Sequence, residues 1–345
     1  MCIYYQSSNL SPTLLSKSIK KPIEETICRL TQAKRAVREQ VLQPLWSGYG
    51  EIARYSLQGC EPLSVVIKHI ALPETLAHPR GWHTDTGHQR KLRSYAVEAE
   101  WYKTYASQCT RDCRVPHCYG VQGEGVGSAM VLQDLDAAGY TVRLQHADPA
   151  ALHAVLKWLA HFHAQWLAEP AAKLWQRGSY WHLATRPDEL ASMTDSPLKT
   201  HAALLDKALD NARFKTLIHG DAKIANFCFD SNHQQLAAVD FQYVGAGVGV
   251  VDVAYFLGSC LSADELQQQG DRLLEQYLQL LANALQNNAK LNTQTVQELV
   301  TEWRDLYPVA WADFERFLQG WSPKHPKLHS YSADMTQRAL AELTA

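Results

Sequence analysis

The stretch Leu217-Ile-His-Gly-Asp-Ala-Lys-Ile-Ala-Asn-Phe-Cys-Phe229 decides how this chain is read. Leu217, Ile218, Phe227 and Phe229 have the character of buried strand, yet His219, Gly220, Asp221, Lys223 and Asn226 interrupt them. A buried polar loop is costly unless each group has a partner. The segment is therefore either an ordinary turn between strands or a loop that performs chemistry.

Downstream, FCFD-SNHQQ-LAAVD (227–240) reads as a hairpin ending at Asp240, nineteen residues after Asp221. Its two strands bring their outer ends together, so Asp221, Asn226 and Asp240 can converge at one rim. Such hard oxygen donors suit Mg²⁺, with Asp221 left free to accept a proton.

The pattern H-G-D-x-x-x-x-N followed by Asp240-Phe241-Gln242 resembles the catalytic core of the protein-kinase-like fold. The branch it resembles is that of aminoglycoside phosphotransferases and choline kinases, and Lys223 with Phe241-Gln242 is most similar to ecdysteroid-kinase-like (CHK) members. The resemblance implies Asp221 as catalytic base, Asn226 and Asp240 as Mg²⁺ ligands, and Lys223 near the γ-phosphate of ATP. His219 is expected to brace the loop.

The rest of the chain supplies matching parts in order. Lys68 follows Val65-Val66-Ile67 in the β-rich run Leu63–Ile70, as the V-A-I-K lysine does. Glu98, in Glu-x-x-Trp-Tyr on the next helix, resembles the lysine's partner. Glu100 is the rival, and the two point about 200° apart on a helix. Gly48 and Gly50 lie where a phosphate-covering turn belongs, although Ala53 replaces the third glycine. A tight hairpin also wants glycine. In MVLQDLD (130–136), Gln133 and Leu135 occupy the hinge position where backbone groups would hold adenine.

The expected fold is α+β and two-lobed. The N-lobe, 1–135, has a small mainly antiparallel sheet and one main helix; the C-lobe, 136–345, is mostly helical. Ile23–Leu42 has helical spacing, and 46–59 reads as strand, glycine turn, strand. The polar stretch 71–93, with Arg80, His83, His88, Arg90 and Arg93, reads as a long solvated loop or insertion. A helix fits 94–107, and two strands joined by Gly123–Gly127 fit 118–135. Leu152, Leu156, Leu159, Phe162 and Trp166 form one helical stripe, and further helices are expected over 264–286, 293–306, 309–319 and 333–343.

Other features point to bland roles. His161 and His163, two apart, face away from each other on a helix. Gly245-Ala-Gly-Val-Gly and Gly123-Glu-Gly-Val-Gly do not match G-x-G-x-x-G. Cys109, Cys113, His117 and Cys118 fit no usual zinc spacing. Asp252 reads as a helix N-cap and, by the resemblance, as an anchor of the catalytic loop. The run Tyr243–Leu261 is long enough for a membrane span, but Asp252 at its middle would cost about 2.5–3.5 kcal/mol.

At 46% hydrophobic and 20% charged, the 345-residue chain has a globular composition, and a net charge of −2 offers nothing to nucleic acid or an anionic membrane. Eight cysteines without a C-x-x-C pair, and an N-terminus unlike a signal peptide, point to a reducing cytoplasmic setting.

Only eleven residues separate Asp240 from Asp252, and no A-P-E follows, so there is no platform for a peptide. The expected acceptor is a small molecule, with walls from 175–190 (Trp175, Tyr180, Trp181) and 302–325 (Trp303, Trp311, Asp313, Trp321). The expected activity is ATP-dependent phosphoryl transfer to a hydroxyl; the alternative is an inactive relative that binds nucleotide or a partner.

Overall fold

The computed structural model describes residues 16–45, 48–71, 85–123, 127–287 and 291–345. Its N-terminal part contains helix α1 (Ser16–Thr31), strands β1 (Arg35–Pro44), β2 (Gly50–Gln58) and β3 (Ser64–Ile70), helix α2 (Asp85–Glu100), and strands β4 (Cys118–Gln122) and β5 (Ala129–Gln133). The strands form one sheet in the order β1-β2-β3-β5-β4, antiparallel throughout.

Side chains alternate across this sheet. Val65 and Ile67 of β3 join Ala53, Tyr55, Leu57 and Val131 in a core that Ile27 of α1 covers. Lys68, of opposite parity, falls on the other face, which looks toward α2. Ile70, Met130 and Leu132 on that face belong to the large core that continues into the helical part.

Three expectations for this half need correction. The helix expected over 23–42 ends at Thr31, and Arg35–Pro44 is a strand. Gln32 takes φ 60°, and the Lys34 amide then donates to the Gln58 carbonyl at 2.8 Å. Pairing with β2 overrides the local helical spacing. Second, α2 begins at Asp85, so part of the presumed 71–93 loop is helix. His88 bonds the Tyr49 hydroxyl at 2.6 Å, Arg90 donates to Thr185 O at 2.6 Å, and Arg93 donates to Lys173 O at 2.7 Å. These polar side chains tie α2 to the glycine turn and to the helical part. Arg80 and His83 lie outside the described residues. Third, α2 stops at Glu100, and a π turn (Trp101–Tyr105) and a 3-10 turn (Ala106–Gln108) complete the segment.

The C-terminal part opens with α3 (Pro149–Gln165), whose N-cap Asp148 accepts from the Ala151 amide at 2.8 Å. Short helices α4 (Pro187–Ser192), α5 (Pro197–Thr200) and α6 (Ala202–Asp210) follow. Next come β6 (Thr216–Ile218), β7 (Phe227–Phe229), β8 (Leu236–Ala238) and β9 (Gly245–Gly247). They pair antiparallel as β6 with β9 and β7 with β8, Phe227 lying opposite Ala238. Helices α7 (Val250–Cys260), α8 (Ala263–Asn287), α9 (Thr293–Trp321) and α10 (Ser330–Thr344) complete the fold.

The helices expected over 293–306 and 309–319 are a single helix, with Pro308 inside it. Proline removes a helical hydrogen bond, but Tyr307, Val309 and Trp311 are buried on either side of it and hold the helix together. The apolar run 243–261 becomes β9 and α7. Among the described residues, no helix is long and apolar enough to cross a membrane.

Candidate active site

The segment 217–229 forms a strand, a buried loop and a second strand, as its polarity pattern requires. Gly220 lies at φ 77°, and a Cβ there would sit 2.2 Å from Tyr243 O. Only glycine fits so close a backbone approach. The loop's amides are satisfied from α7. Asp252, fully buried, accepts from His219 N–H at 2.6 Å through Oδ2 and from Gly220 N–H at 2.9 Å through Oδ1. It anchors the loop but is not the helix N-cap, which is Gly249. His163 Nε2 lies 3.2 Å from Asp252 Oδ2, and its Nδ1 is 2.7 Å from the Tyr277 hydroxyl.

His219 braces the loop. Its Nε2 is 3.0 Å from Val239 O, which makes it the donor, and Nδ1 accepts from the Asp221 amide at 3.3 Å. Asp221 is thereby presented with its two oxygens in different states. Oδ2 takes Lys223 Nζ at 3.0 Å and Asn226 Nδ2 at 3.1 Å. Oδ1 is buried and has no hydrogen-bond partner. A buried carboxylate oxygen left open in this way needs a role.

Asp240 follows β8 with φ 70°. Its Oδ1 is 3.0 Å from Lys68 Nζ, while a third of the side chain remains open to solvent. Lys68 also meets Glu98 Oε2 at 2.6 Å. Glu100 instead accepts from the Thr104 hydroxyl at 2.8 Å, so of the two rival glutamates Glu98 is the one facing Lys68. Residues far apart in sequence, Lys68, Glu98, Asp221, Lys223, Asn226 and Asp240, thus gather between the sheet and the helices.

The charges are coupled. Burial alone would lower the Lys68 pKa, but Asp240 and Glu98 hold it above the usual lysine value. Burial raises Glu98. Asp240 is held well below the usual carboxylate value, because Lys68 and Lys223 outweigh its burial. Lys223 is raised, Asp221 and Asp240 overcoming desolvation. A charged carboxylate at 240 and charged lysines at 68 and 223 are the stable states.

The remaining expected residues fall around this cluster. Gly48 (φ 77°) lies in the turn before β2 and Gly50 (φ 118°) opens the strand, with Trp46 and Ser47 outside the described residues. A Cβ at Gly50 would lie 2.0 Å from His69 O, so strand packing alone explains that glycine. Gln133 closes β5, its amide donating to His117 O at 2.7 Å. The buried Leu135 accepts from the Tyr140 amide at 2.8 Å. Between them, Asp134 bonds Arg54 at 2.8 Å and the Ser64 hydroxyl at 2.8 Å, fixing the connection.

Of the expected acceptor walls, Trp181, Trp303 and Trp311 are core residues, and Asp313 is tied to Arg316 at 2.9 Å. Tyr180 borders the loop, its amide donating to Gly220 O at 3.2 Å and its hydroxyl 3.2 Å from that of Tyr255. Trp175 stacks near Tyr243, with ring centres 6.2 Å apart. Among the described residues, no group of three His, Cys, Asp or Glu is placed to hold a metal.

Sequence reasoning did not single out Lys91, which donates to Gln242, the last residue of the Asp240-Phe241-Gln242 motif, at 3.0 Å. The available signal was helical spacing. Lys91 precedes Glu98 by seven residues and shares its face.

The sequence pattern of the ecdysteroid kinase-like family matches residues 175–289. That span holds the loop, the hairpin, Asp240 and Asp252, but not Lys68 or Glu98. No curated protein matches. The fold is similar to the choline kinase of Streptococcus pneumoniae, with 12% identity and a TM-score of 0.47, covering 94% of this chain and 99% of that one. It is also similar to macrolide 2'-phosphotransferase of Brachybacterium faecium, with 14% identity and a TM-score of 0.46, covering 94% and 97%. A third, an amicoumacin kinase solved with AMP-PNP and Ca²⁺, has 14% identity and a TM-score of 0.44, covering 88% and 87%. The chain thus carries the ecdysteroid kinase-like sequence pattern over residues 175–289, on an α+β fold with a five-stranded antiparallel sheet.

Proposed function

We propose that the protein is an ATP-dependent kinase that phosphorylates a hydroxyl of a small molecule, working with Mg²⁺ in a reducing, cytoplasmic setting. Nucleotide is assigned to the 1–135 part, with Gly48, Gly50, Gln133 and Leu135 around it, and the acceptor to the 136–345 part. The observation that carries the reading is the state of Asp221. One oxygen is fixed by Lys223 and Asn226, and the other is buried and open. That is what a base needs if it is to take a proton from an oriented hydroxyl.

The residues present fit the groups the reading requires. Asp240 has a charged carboxylate used on one oxygen by Lys68. Asn226 spends its amide nitrogen on Asp221, leaving its carbonyl oxygen as a hard donor. Asp240 and Asn226 would hold Mg²⁺, which supplies charge neutralisation to the phosphates when bound. Lys68, oriented by Glu98, would bind phosphate oxygens. Lys223, held above its usual pKa, would stay charged and offset negative charge gathering beside Asp221. Tyr180 and Trp175 would flank the acceptor.

The test is a metabolite-library screen for Mg²⁺-dependent ATP consumption, with Asp221→Asn as the blank. Asp221→Asn should abolish transfer and leave ATP binding intact, whereas Asp240→Ala should remove Mg²⁺-dependent binding. Full turnover by Asp221→Asn would remove the base from the mechanism.

A further inference from the structure

Beside the cluster of Lys68, Glu98 and Asp240 stands a cation that the roles above leave unused. Lys91 stands on α2 two turns before Glu98, in line with Ser94 and Tyr95. Its Nζ donates to Gln242 Oε1 at 3.0 Å and lies 4.7 Å from the centre of the Tyr95 ring. The Ser94 hydroxyl donates to the same Gln242 oxygen at 3.3 Å.

Gln242 is the second residue after Asp240, so this bond brings the Lys91 ammonium toward the Lys68–Asp240 pair. Burial pushes the Lys91 pKa down to about 8, and the charges acting on it are, in order, Asp240, Lys68, Glu98 and Asp221. Among the described residues, no carboxylate forms an ion pair with it.

A lysine so placed is poorly served by packing alone. An ammonium has three N–H donors. Here it meets one neutral amide and one ring, beside a second lysine whose charge opposes it. A structural lysine in a half-buried position normally finds a carboxylate, and a purely apolar role would be better filled by methionine or leucine. What the arrangement suits is an anion bound beside the Lys68–Asp240 pair.

We propose that Lys91, held in place by Gln242, is a second cationic ligand for the terminal phosphate of a bound nucleoside triphosphate. The proposal rests on the nucleotide-binding reading above. Lys68, joined to Glu98 and Asp240, serves the inner phosphates, and Lys91 reads whether a third phosphate is present. Its contribution therefore appears with ATP and not with ADP.

Calorimetric titration of ATP and ADP, both with Mg²⁺, into the wild-type protein, Lys91→Met, Lys91→Arg and Lys68→Met tests this. A hydrogen bond to a charged group sets the scale. Lys91→Met should weaken ATP about tenfold or more and ADP less than about twofold, and Lys91→Arg should recover most of the ATP affinity. Lys68→Met should weaken both nucleotides. Equal weakening of ATP and ADP by Lys91→Met would make Lys91 a tie between α2 and Gln242, and so would unchanged binding of both; either overturns the proposal. Should Lys91→Met fold poorly, as its melting curve would reveal, Lys91→Gln takes its place: selective loss of ATP affinity with intact folding supports the phosphate contact, and equal or no loss for ATP and ADP overturns it. Failure of the wild-type protein to bind either nucleotide would instead remove the kinase reading itself.

Discussion

Replacement of Asp252 tests how the loop is held. Its carboxylate accepts the buried amides of His219 and Gly220 at 2.6 and 2.9 Å, and lies 3.2 Å from His163 Nε2. Asp252→Ala strands both amides, each costing about 1–3 kcal/mol when buried without a partner. The expected loss is therefore about 2–6 kcal/mol, a large share of the ~5–15 kcal/mol that folded chains possess. Asp252→Asn keeps one accepting oxygen but turns an NH₂ toward the other donors. It should cost roughly half as much, about 1–3 kcal/mol. Urea unfolding followed by tryptophan fluorescence gives both values by linear extrapolation; Trp303, 6.0 Å from the His163 ring, reports on the region directly. The reasoning fails if Asp252→Ala lies within about 0.5 kcal/mol of wild type, the ordinary scatter of surface changes, or if Ala and Asn cost the same.

Glu98→Gln should lower nucleotide affinity about tenfold, a loss of ~1.4 kcal/mol, because Lys68 then keeps only Asp240; Glu100→Gln should leave it unchanged. A fluorescent-nucleotide titration that reverses this order would assign the lysine to Glu100. His182 supplies a pH signature. Burial, then the Arg177 charge, lowers its imidazole to about 4 from 6.5, and its Nδ1 is buried without a partner. The unfolded chain takes up a proton that the folded chain refuses, so stability is full above pH 6.5 and declines as pH falls toward 4, by ~3 kcal/mol. His182→Phe should flatten this part of the urea-midpoint profile between pH 7 and pH 4.

The parts of the site that could be read in advance are those where polar groups break an apolar pattern. His219, Asp221 and Asn226 interrupt two strand-like runs, and Lys68 stands inside a valine-isoleucine run, so each poses a question of burial cost that the hydrogen bonds and ion pairs of the site answer. The hairpin from Phe227 to Asp240 depends on near neighbours and was equally visible. β1 was not, because Arg35–Pro44 is a strand only through its pairing with β2. Nor was the first half of α2, which lacks an apolar stripe; His88, Arg90, Lys91 and Arg93 fasten it through polar contacts to partners as distant as Thr185 and Gln242. Lys91 was missed for the same reason. Helix α9 was divided at Pro308 because a local rule met a packed environment that overrides it.

Asp240 shows how the core aims a carboxylate. A non-glycine residue at φ 70° is strained by about 1–2 kcal/mol. The residue after it, Phe241, is fully buried, with ring centres 4.5 Å from Trp101 and 4.5 Å from His219. Burying such a ring contributes about 1.5–3 kcal/mol, enough to hold the strained backbone in place. Phe241 can reach that slot only if the chain turns back at Asp240, and the same turn points the carboxylate toward Lys68. His219 meets this ring on one side and holds the Asp221 amide on the other. The two carboxylates are therefore aligned through His219, which packs against Phe241 and bonds Val239 O, rather than through any bond between them. A smaller side chain at 241 would loosen both the strained turn and the brace of Asp221, although it touches neither carboxylate.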